Sequence, residues 1–197
     1  PGSMAGGMTE IYQEGLRIPP IRIVQEDKIL QDVFDLVLLN VRVPNERRGD
    51  YMAQIAANRL GNRRLTELFK KWSKKEIELG CSAIIDAVTR RMRSSIAELP
   101  DGEYKFEDVL DDDGMGTENI PVVVKIVKQG EEIWLDFEGS GRQVRGNMNN
   151  SFAGLQASVL FALKVLVDPD GPTNHGMLEP VHIKAPDGSV VNASFPA

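Results

Sequence analysis

Two alternating segments between residues 120 and 138 constrain the fold of this chain most strongly. Apolar residues recur at every second position before and after a short turn that contains Gly130. Period-two alternation on both sides of a glycine-containing turn predicts a β-hairpin over residues 120–138. Because successive side chains of a strand point to opposite faces, Ile133, Leu135 and Phe137 share one face, which we expect to be buried.

A polar loop follows this hairpin. It carries Arg145, Gly146 and three asparagines, namely Asn147, Asn149 and Asn150. Amide and guanidinium groups are costly to bury without hydrogen-bond partners. The loop is therefore expected either to be hydrogen-bonded internally or to meet a ligand, as functional loops do.

Apolar residues at helical spacing predict helices on both sides of the hairpin. Residues 27–99 contain three such stripes, which can pack as a helical bundle or as antiparallel hairpins, and Pro44 separates the first stripe from the second. The third stripe includes Cys81, which is expected to be a small buried side chain and not a nucleophile. A fourth helix is predicted over residues 151–167, capped by Ser151 or by the residue before it.

The remaining segments complete an α+β fold. Residues 1–26 are predicted to be loop or extended chain, because consecutive prolines restrict the backbone before them. Residues 100–197 form the α+β segment, which ends in a second hairpin predicted over residues 181–192. The predicted fold is thus a helical bundle segment followed by antiparallel β-hairpins with a packed helix. Since both ends read as irregular and residue 1 is not Met, we expect an internal fragment of a longer protein.

Charge is divided unevenly along the chain. The net charge is −6, yet residues 42–93 carry 13 Lys and Arg against 6 Asp and Glu, whereas residues 98–138 carry 13 acidic residues against 3 lysines. The basic residues are spread through amphipathic helices and do not form one block. This distribution favours a solvated helical face, or a face turned to an acidic partner, over nucleic-acid binding.

Cysteine usage and hydropathy indicate a cytoplasmic protein. The single cysteine excludes an internal disulfide framework, which is typical of a reducing compartment. No apolar run reaches the roughly 18 residues that a membrane helix needs, and no signal-peptide pattern opens the chain. We therefore expect no membrane partner.

Metal-binding and catalytic motifs are scarce. The run Asp111–Gly114 invites a calcium interpretation, but Val122 stands where a twelve-residue loop needs its bidentate Glu, so a solvated acidic turn is favoured. His182 alternates with apolar strand residues, which favours a hydrogen-bonded strand histidine over a ligand. His175 lies in a turn-dense loop and is the better candidate for binding. The spacing of these residues predicts no metal site in the chain.

Five ordered segments carry a family resemblance. They are EIYQEGLRIPPIRI at 10–23, NVRVP and GDYMAQIAANRLG within 40–61, DGEYKFEDVLDDDG at 101–114, IWLDFEGSGRQVRGNMN at 133–149 and NHGMLEPVHIKAPDGSVVNASFPA at 174–197. They resemble the hydantoinase B/oxoprolinase family, the B component of ATP-dependent N-methylhydantoinases and 5-oxoprolinases, which is similar also to the large subunit of acetone carboxylases. The resemblance covers nearly the whole chain and is weakest over residues 66–98.

The resemblance implies a two-component, ATP-dependent enzyme. In this family a hydantoinase A-type subunit or domain binds ATP and Mg and phosphorylates the amide or ketone. The B-type part then processes the activated small molecule, by ring-opening hydrolysis or by carboxylation, at a site that bears a divalent metal. The metal-ligand segments of family members lie upstream of the position that matches Pro1, so no cofactor is expected in this chain. The implied protein is a cytoplasmic hetero-oligomer that hydrolyses C–N bonds of cyclic amides, and the chain alone is expected to be inactive.

The resemblance also suggests a substrate for the polar loop. Glu14 is a candidate proton carrier. An arginine offers a planar donor fork and an amide offers both donors and acceptors, which suits an anionic, phosphorylated substrate. The candidate substrate-binding residues are Arg17, Arg145, Asn147, Asn149 and His175. For each of them, the alternative is that it only ties a loop to the sheet.

Two other functions stay open. The chain can belong to an acetone-carboxylase-like, ATP-dependent carboxylase subunit, since ketone and lactam members share these motifs. It can also be an assembly module whose basic helical face docks an A-type partner and which has no chemistry of its own. The missing metal-ligand set favours the assembly role for this chain.

Overall fold

Residues 7–13 and 15–195 are described by a computed structural model. Of these, residues 15–79 form one compact unit, and residues 7–13 with 80–195 form the other. In the described part of the chain, no helix combines the length and apolar character that crossing a bilayer takes.

The smaller unit contains a two-stranded hairpin. Strand β1 (Val24–Gln25) pairs antiparallel with β2 (Lys28–Ile29). The turn residues Glu26 and Asp27 both have positive φ, 48° and 64°, as a two-residue type I′ turn requires. Asp27 accepts a hydrogen bond from Nε of Arg59 at 3.0 Å, which ties the turn to the long helix of this unit.

Helices follow this hairpin. They are α1 (Gln31–Leu39), α2 (Pro44–Lys71) and α3 (Lys74–Ala97). The predicted break at Pro44 is confirmed, because proline opens α2 at a position whose amide has no intrahelical partner. Phe34 is 1% exposed and meets Tyr51 edge-on, with ring centroids 5.9 Å apart, so α1 packs on α2.

The packing of these helices differs from the predicted bundle. No residue of α2 is buried. The buried residues of α3, namely Val88, Met92 and Ile96, belong to the core of the larger unit. Cys81 is exposed, so its predicted burial is wrong. An apolar stripe indicates which face of a helix is covered, but not over what length the cover extends.

The larger unit is built on a four-stranded sheet with the order β3-β4-β5-β6. The strands are β3 (Gly102–Asp112), β4 (Glu118–Gln129), β5 (Glu132–Asp136) and β6 (Val181–Lys184). The first three strands pair antiparallel, and β6 joins β5 in parallel. The sheet is therefore mixed.

The hairpin predicted over residues 120–138 is confirmed as β4 and β5. Ile133, Leu135 and Phe137 are 5%, 8% and 7% exposed, whereas Trp134 on the opposite face is 39% exposed. The predicted register of the second strand is therefore correct.

The hairpin predicted over residues 181–192 is wrong. β6 is a parallel neighbour of β5, and helix α4 (Phe152–Leu166) lies in the crossover that such neighbours require. Beyond β6, the described residues form isolated bridges in which Ser189 faces Arg142 and Asn192. Alternation shows that a segment is extended, but it does not say which strand the segment joins.

Helix α4 supplies one side of the core. Oγ of Ser151 accepts a hydrogen bond from the amide of Gly154 at 3.2 Å, so the helix predicted over residues 151–167 and its cap are both confirmed. The buried residues of α4 pack with α3 and with the apolar face of the sheet; they are Leu155, Val159 and Leu163. The α+β class is therefore confirmed.

Candidate functional site

The loop after β5 is braced by one of its own asparagines. Oδ1 of Asn149 accepts a hydrogen bond from the amide of Val144 at 2.8 Å. Its Nδ2 donates to the carbonyl oxygens of Val144 at 2.7 Å and of Gly146 at 3.1 Å. Both donor hydrogens of the amide are thereby engaged, so Asn149 shapes the loop.

A buried carboxylate holds this loop from outside. Asp113, between β3 and β4, is 3% exposed. Its Oδ1 accepts hydrogen bonds from the amides of Met115 at 2.8 Å and Thr117 at 2.9 Å, and its Oδ2 accepts one from the amide of Gly146 at 3.2 Å. These donors, Thr117 foremost, lower the pKa of Asp113 to about 2, while burial acts in the opposite direction. The carboxylate is therefore ionised at neutral pH.

Gly146 packs directly on the backbone of residue 113. A Cβ atom at Gly146 would lie 2.1 Å from the carbonyl oxygen of Asp113, closer than any real Cβ contact. Glycine is therefore required here by close backbone approach and not by its φ angle.

The braced loop forms one wall of a small cleft. Its volume is about 150 Å³, and its lining residues are Met8, Thr9, Glu10, Ile11, Gly146, Asn147 and Asn149. The N-terminal wall is folded around Gln13, whose Oε1 accepts hydrogen bonds from the amide of Thr9 at 2.6 Å and from its hydroxyl at 3.1 Å. Tyr12 meets Phe195 edge-on, with ring centroids 5.9 Å apart. The cleft thus lies between two segments that are far apart in sequence.

The structure brings together only part of the predicted site. Asn147 and Asn149 line the cleft. Arg145 is exposed next to Gly146 and makes no hydrogen bond or ion pair to the other described residues. Arg17 is exposed and belongs to the unit of residues 15–79. The predicted proton carrier Glu14 lies outside the described residues.

His175 lines a second cleft, apart from the asparagines. This cleft of about 270 Å³ is lined by Phe152, Gln156, His175, Leu178, Glu179, Val181, His182 and Ile183. Nε2 of His175 lies 3.5 Å from a carboxylate oxygen of Glu179. His182 is held by Glu132, with 2.5 Å between Nε2 and Oε2, as expected of a hydrogen-bonded strand histidine. The two histidines therefore share a cleft that the sequence did not predict.

Sequence reasoning missed two polar residues that line the first cleft and one carboxylate beside it. Thr9 and Glu10 line it, and nothing in their local pattern separates them from surface residues. Asp113 was included in a turn expected to be solvated. A local signal was present, because an aspartate whose oxygen accepts amides two and four residues ahead forms a turn of its own.

The described residues do not fit a metal centre. Among residues 7–13 and 15–195, no three His, Cys, Asp or Glu side chains are grouped so that they could hold an ion. The divalent metal that the family resemblance implies therefore has no ligand set in this part of the chain.

Comparison with known proteins shows the family. Residues 1–197 match the hydantoinase B/oxoprolinase family, and the chain therefore belongs to it. It is 33% identical over its whole length to an uncharacterized protein of Methanocaldococcus jannaschii, of which it covers 34%. It is 32% identical over 95% of its length to the caprolactamase subunit beta of Pseudomonas jessenii, of which it covers 32%. The chain thus spans about a third of the length of these relatives.

Two solved structures share the fold. The ATP-dependent caprolactamase from Pseudomonas jessenii matches 98% of the chain with a TM-score of 0.86 and 31% identity, and 33% of that chain is covered. A nucleotide-free acetone carboxylase matches 98% of the chain with a TM-score of 0.84 and 16% identity, over 27% of that chain. The second likeness shows the fold alone.

Proposed function

We propose that this chain is part of the B component of an ATP-dependent amidohydrolase that opens cyclic amides of the hydantoin and 5-oxoproline type. The observation that carries the proposal is the likeness, along nearly the whole chain, to an ATP-dependent caprolactamase. Caprolactam is itself a cyclic amide, so the likeness to a caprolactamase supports the C–N bond of a cyclic amide as the bond that is opened. The immediate substrate is an amide activated by phosphoryl transfer, which carries negative charge.

In this proposal, the cleft between residues 8–11 and the loop at Gly146 binds part of the activated substrate. The exposed guanidinium of Arg145 is available to an anionic group, and a planar fork suits phosphoryl oxygens. Asn147 lines the cleft and supplies both donor and acceptor atoms. These residues orient the substrate and neutralise its charge. Any general base comes from elsewhere in the complete site or from Glu14.

ATP and Mg belong, in this proposal, to a hydantoinase A-type partner, and the divalent metal belongs to another part of the B component. The name of the caprolactamase subunit beta supports an assembly with more than one kind of subunit. A cytoplasmic hetero-oligomer completes the proposal. The chain alone is then without activity, because it carries one wall of the site and not the groups that activate the amide.

A second candidate is an assembly role without chemistry. It is favoured by α2, a 28-residue helix in which no residue is buried. Large apolar side chains are exposed along its second half; they are Leu60, Leu65, Leu68 and Phe69. An exposed apolar face of this kind marks a surface that another protein covers.

The test is a substrate panel with the full-length gene product and its A-type partner. Caprolactam, hydantoin, 5-oxoproline and acetone with bicarbonate are each supplied with ATP, and ring-opened or carboxylated product is measured together with released phosphate. We expect ring opening of at least one cyclic amide that depends on ATP. Carboxylation of acetone without ring opening would assign the protein to the carboxylases instead. A complex that turns over none of them would favour the assembly role, provided that variants with substituted cleft residues still assemble normally.

A further inference from the structure

We infer that Asp113 is a positioning residue for the candidate cleft: its carboxylate sets the place of the loop that carries Arg145, Gly146 and Asn147. The hydrogen-bond geometry carries this inference, and only its kinetic consequence rests on the proposed function. Asp113 does not itself line the cleft.

The two oxygens of Asp113 serve two different segments. Oδ1 closes its own turn through the amides of Met115 and Thr117. The amide of Asp113 also donates to the carbonyl oxygen of Thr117 at 3.0 Å, which completes that turn. Oδ2 faces away to the amide of Gly146, 33 positions along the chain. One side chain therefore joins the β3–β4 turn to the cleft wall.

The contact between residue 113 and Gly146 is tight. It therefore fixes where the loop lies, in addition to joining the two segments. Gly146 is buried, and its Cα lies so close to residue 113 that no Cβ fits between them. An ionised carboxylate that is 3% exposed also needs its hydrogen-bond donors, because a buried charge without partners is strongly unfavourable. Movement of the loop away from Asp113 would remove one of the three amides that satisfy this charge.

The loop is expected to move as one piece. Asn149 links Val144 to Gly146 within the loop, so its internal hydrogen bonds do not depend on Asp113. Loss of the bond from Asp113 to Gly146 should therefore shift Asn147 relative to residues 8–11 without unfolding the loop. The expected consequence is weaker substrate binding, with less change in the chemical step.

The variant Asp113→Asn separates the two functions of the carboxylate. Its Oδ1 can still accept from Met115 and Thr117, but its Nδ2 would meet the amide of Gly146 donor to donor. Asp112→Asn is the matched control. Asp112 is exposed at the end of β3, directly before Asp113. Its Oδ1 accepts a hydrogen bond from the amide of Gly114 at 2.7 Å, and Asn keeps that acceptor.

The first measurement is amide hydrogen exchange of this chain, with NMR as the readout. In Asp113→Asn we expect the amide of Gly146 to exchange about tenfold faster, while those of Met115 and Thr117 change much less. Asp112→Asn should leave Gly146 unchanged. Unchanged exchange at Gly146 in a folded Asp113→Asn protein would overturn the inference. If that variant does not fold, the wild type is titrated from pH 6 to pH 2. A Gly146 amide shift that follows the Asp113 carboxyl supports the inference, and one that stays constant while Met115 and Thr117 shift overturns it.

The second measurement is steady-state kinetics of the full-length complex. We expect Asp113→Asn to raise KM for the cyclic amide about tenfold with a smaller change in kcat, and Asp112→Asn to change neither. Faster Gly146 exchange with unchanged KM and kcat would overturn the positioning role. A wild-type complex without ring-opening activity would contradict the proposed function, and the exchange experiment alone would then decide whether Asp113 places the loop.

Discussion

The imidazole of His182 stacks on the indole of Trp134, with ring centroids 5.0 Å apart and an angle of 21° between the planes. Both side chains lie on the same face of the sheet, where β6 pairs in parallel with β5, and Trp134 is the direct neighbour of His182 in register. Glu132 joins this pair of rings to α3, because it accepts hydrogen bonds from His182 and from Nη1 of Arg93, each at 2.5 Å. This cluster links α3, β5 and β6 at the outer face of the sheet.

The first prediction concerns Glu132. The hydrogen bonds from His182 and then from Arg93 lower its pKa below the ordinary value of 4.5. A carboxyl group whose pKa is lower in the folded state stabilises the fold above its unfolded pKa, and this contribution is lost as pH falls through the folded pKa. We therefore expect Glu132→Gln to lower the melting temperature at pH 7 and to differ less from wild type as the pH falls below 4.5.

The control for Glu132 is Glu131→Gln. Glu131 is the exposed neighbour in the β4–β5 turn and makes no hydrogen bond or ion pair to the other described residues. Its melting temperature should follow that of wild type across the same pH range in differential scanning calorimetry. If both variants lower the melting temperature equally at pH 7, the cluster of Glu132 makes no specific contribution to stability.

The second prediction concerns the buried face of β5. Leu135→Ala and Phe137→Ala should each lower the free energy of unfolding by about 2 to 5 kcal/mol, because both side chains leave a cavity in the core. Both also line an apolar groove between the sheet and α4, which has a volume of about 670 Å³. Water can enter such a groove, so the lower end of that range is expected. Urea denaturation measures the effect, and Glu131→Ala should stay within about 0.5 kcal/mol of wild type.

The third prediction concerns metal content. The isolated chain, purified without chelators, should bind no stoichiometric zinc, manganese or iron and should show no ATP-dependent ring opening. The reason is the sequence, which has two histidines, one cysteine and no ligand spacing typical of these ions. Elemental analysis by mass spectrometry checks the metal content. One tightly bound ion per chain would contradict the prediction and would place a metal site within residues 1–197.

Local patterns predicted the elements whose form depends on local sequence. The hairpin 120–138 and the helix after Ser151 were correct because period, turn glycine and cap all act over a few residues. The pairing of β6 was wrong because its partner is selected by the α4 crossover and not by its own alternation. The burial of Cys81 was wrong because packing covers only the end of α3.

The candidate site was predictable in part for the same reason. The polar loop was identified by its composition, and Asn149 braces it through hydrogen bonds to Val144 and Gly146. Its predicted contact with substrate stays a prediction. The turn at Asp113 had a local signal, but its contact with Gly146 had none, because it spans 33 positions and the donor is a backbone amide. The wall formed by Thr9 and Glu10 depends on tertiary placement alone.

The last prediction concerns Arg145 in the full-length complex. Its side chain has no partner among the described residues, so the loop does not depend on it for its shape. If Arg145 binds the activated substrate, Arg145→Lys keeps the charge and loses the bidentate fork. We therefore expect turnover to fall about tenfold or more, since hydrogen bonds to charged groups contribute about 1.5 to 3 kcal/mol. The melting temperature should hardly change.

Arg142→Lys is the matched control for Arg145→Lys, because Arg142 is an exposed arginine at the start of the same loop, whereas Arg145 directly precedes Gly146 and Asn147, which line the cleft. It should leave both turnover and melting temperature near wild type. Unchanged turnover in Arg145→Lys would remove this arginine from the site. Parallel losses of turnover and melting temperature would instead assign it to the scaffold, since a side chain that only binds substrate has no reason to stabilise the free protein.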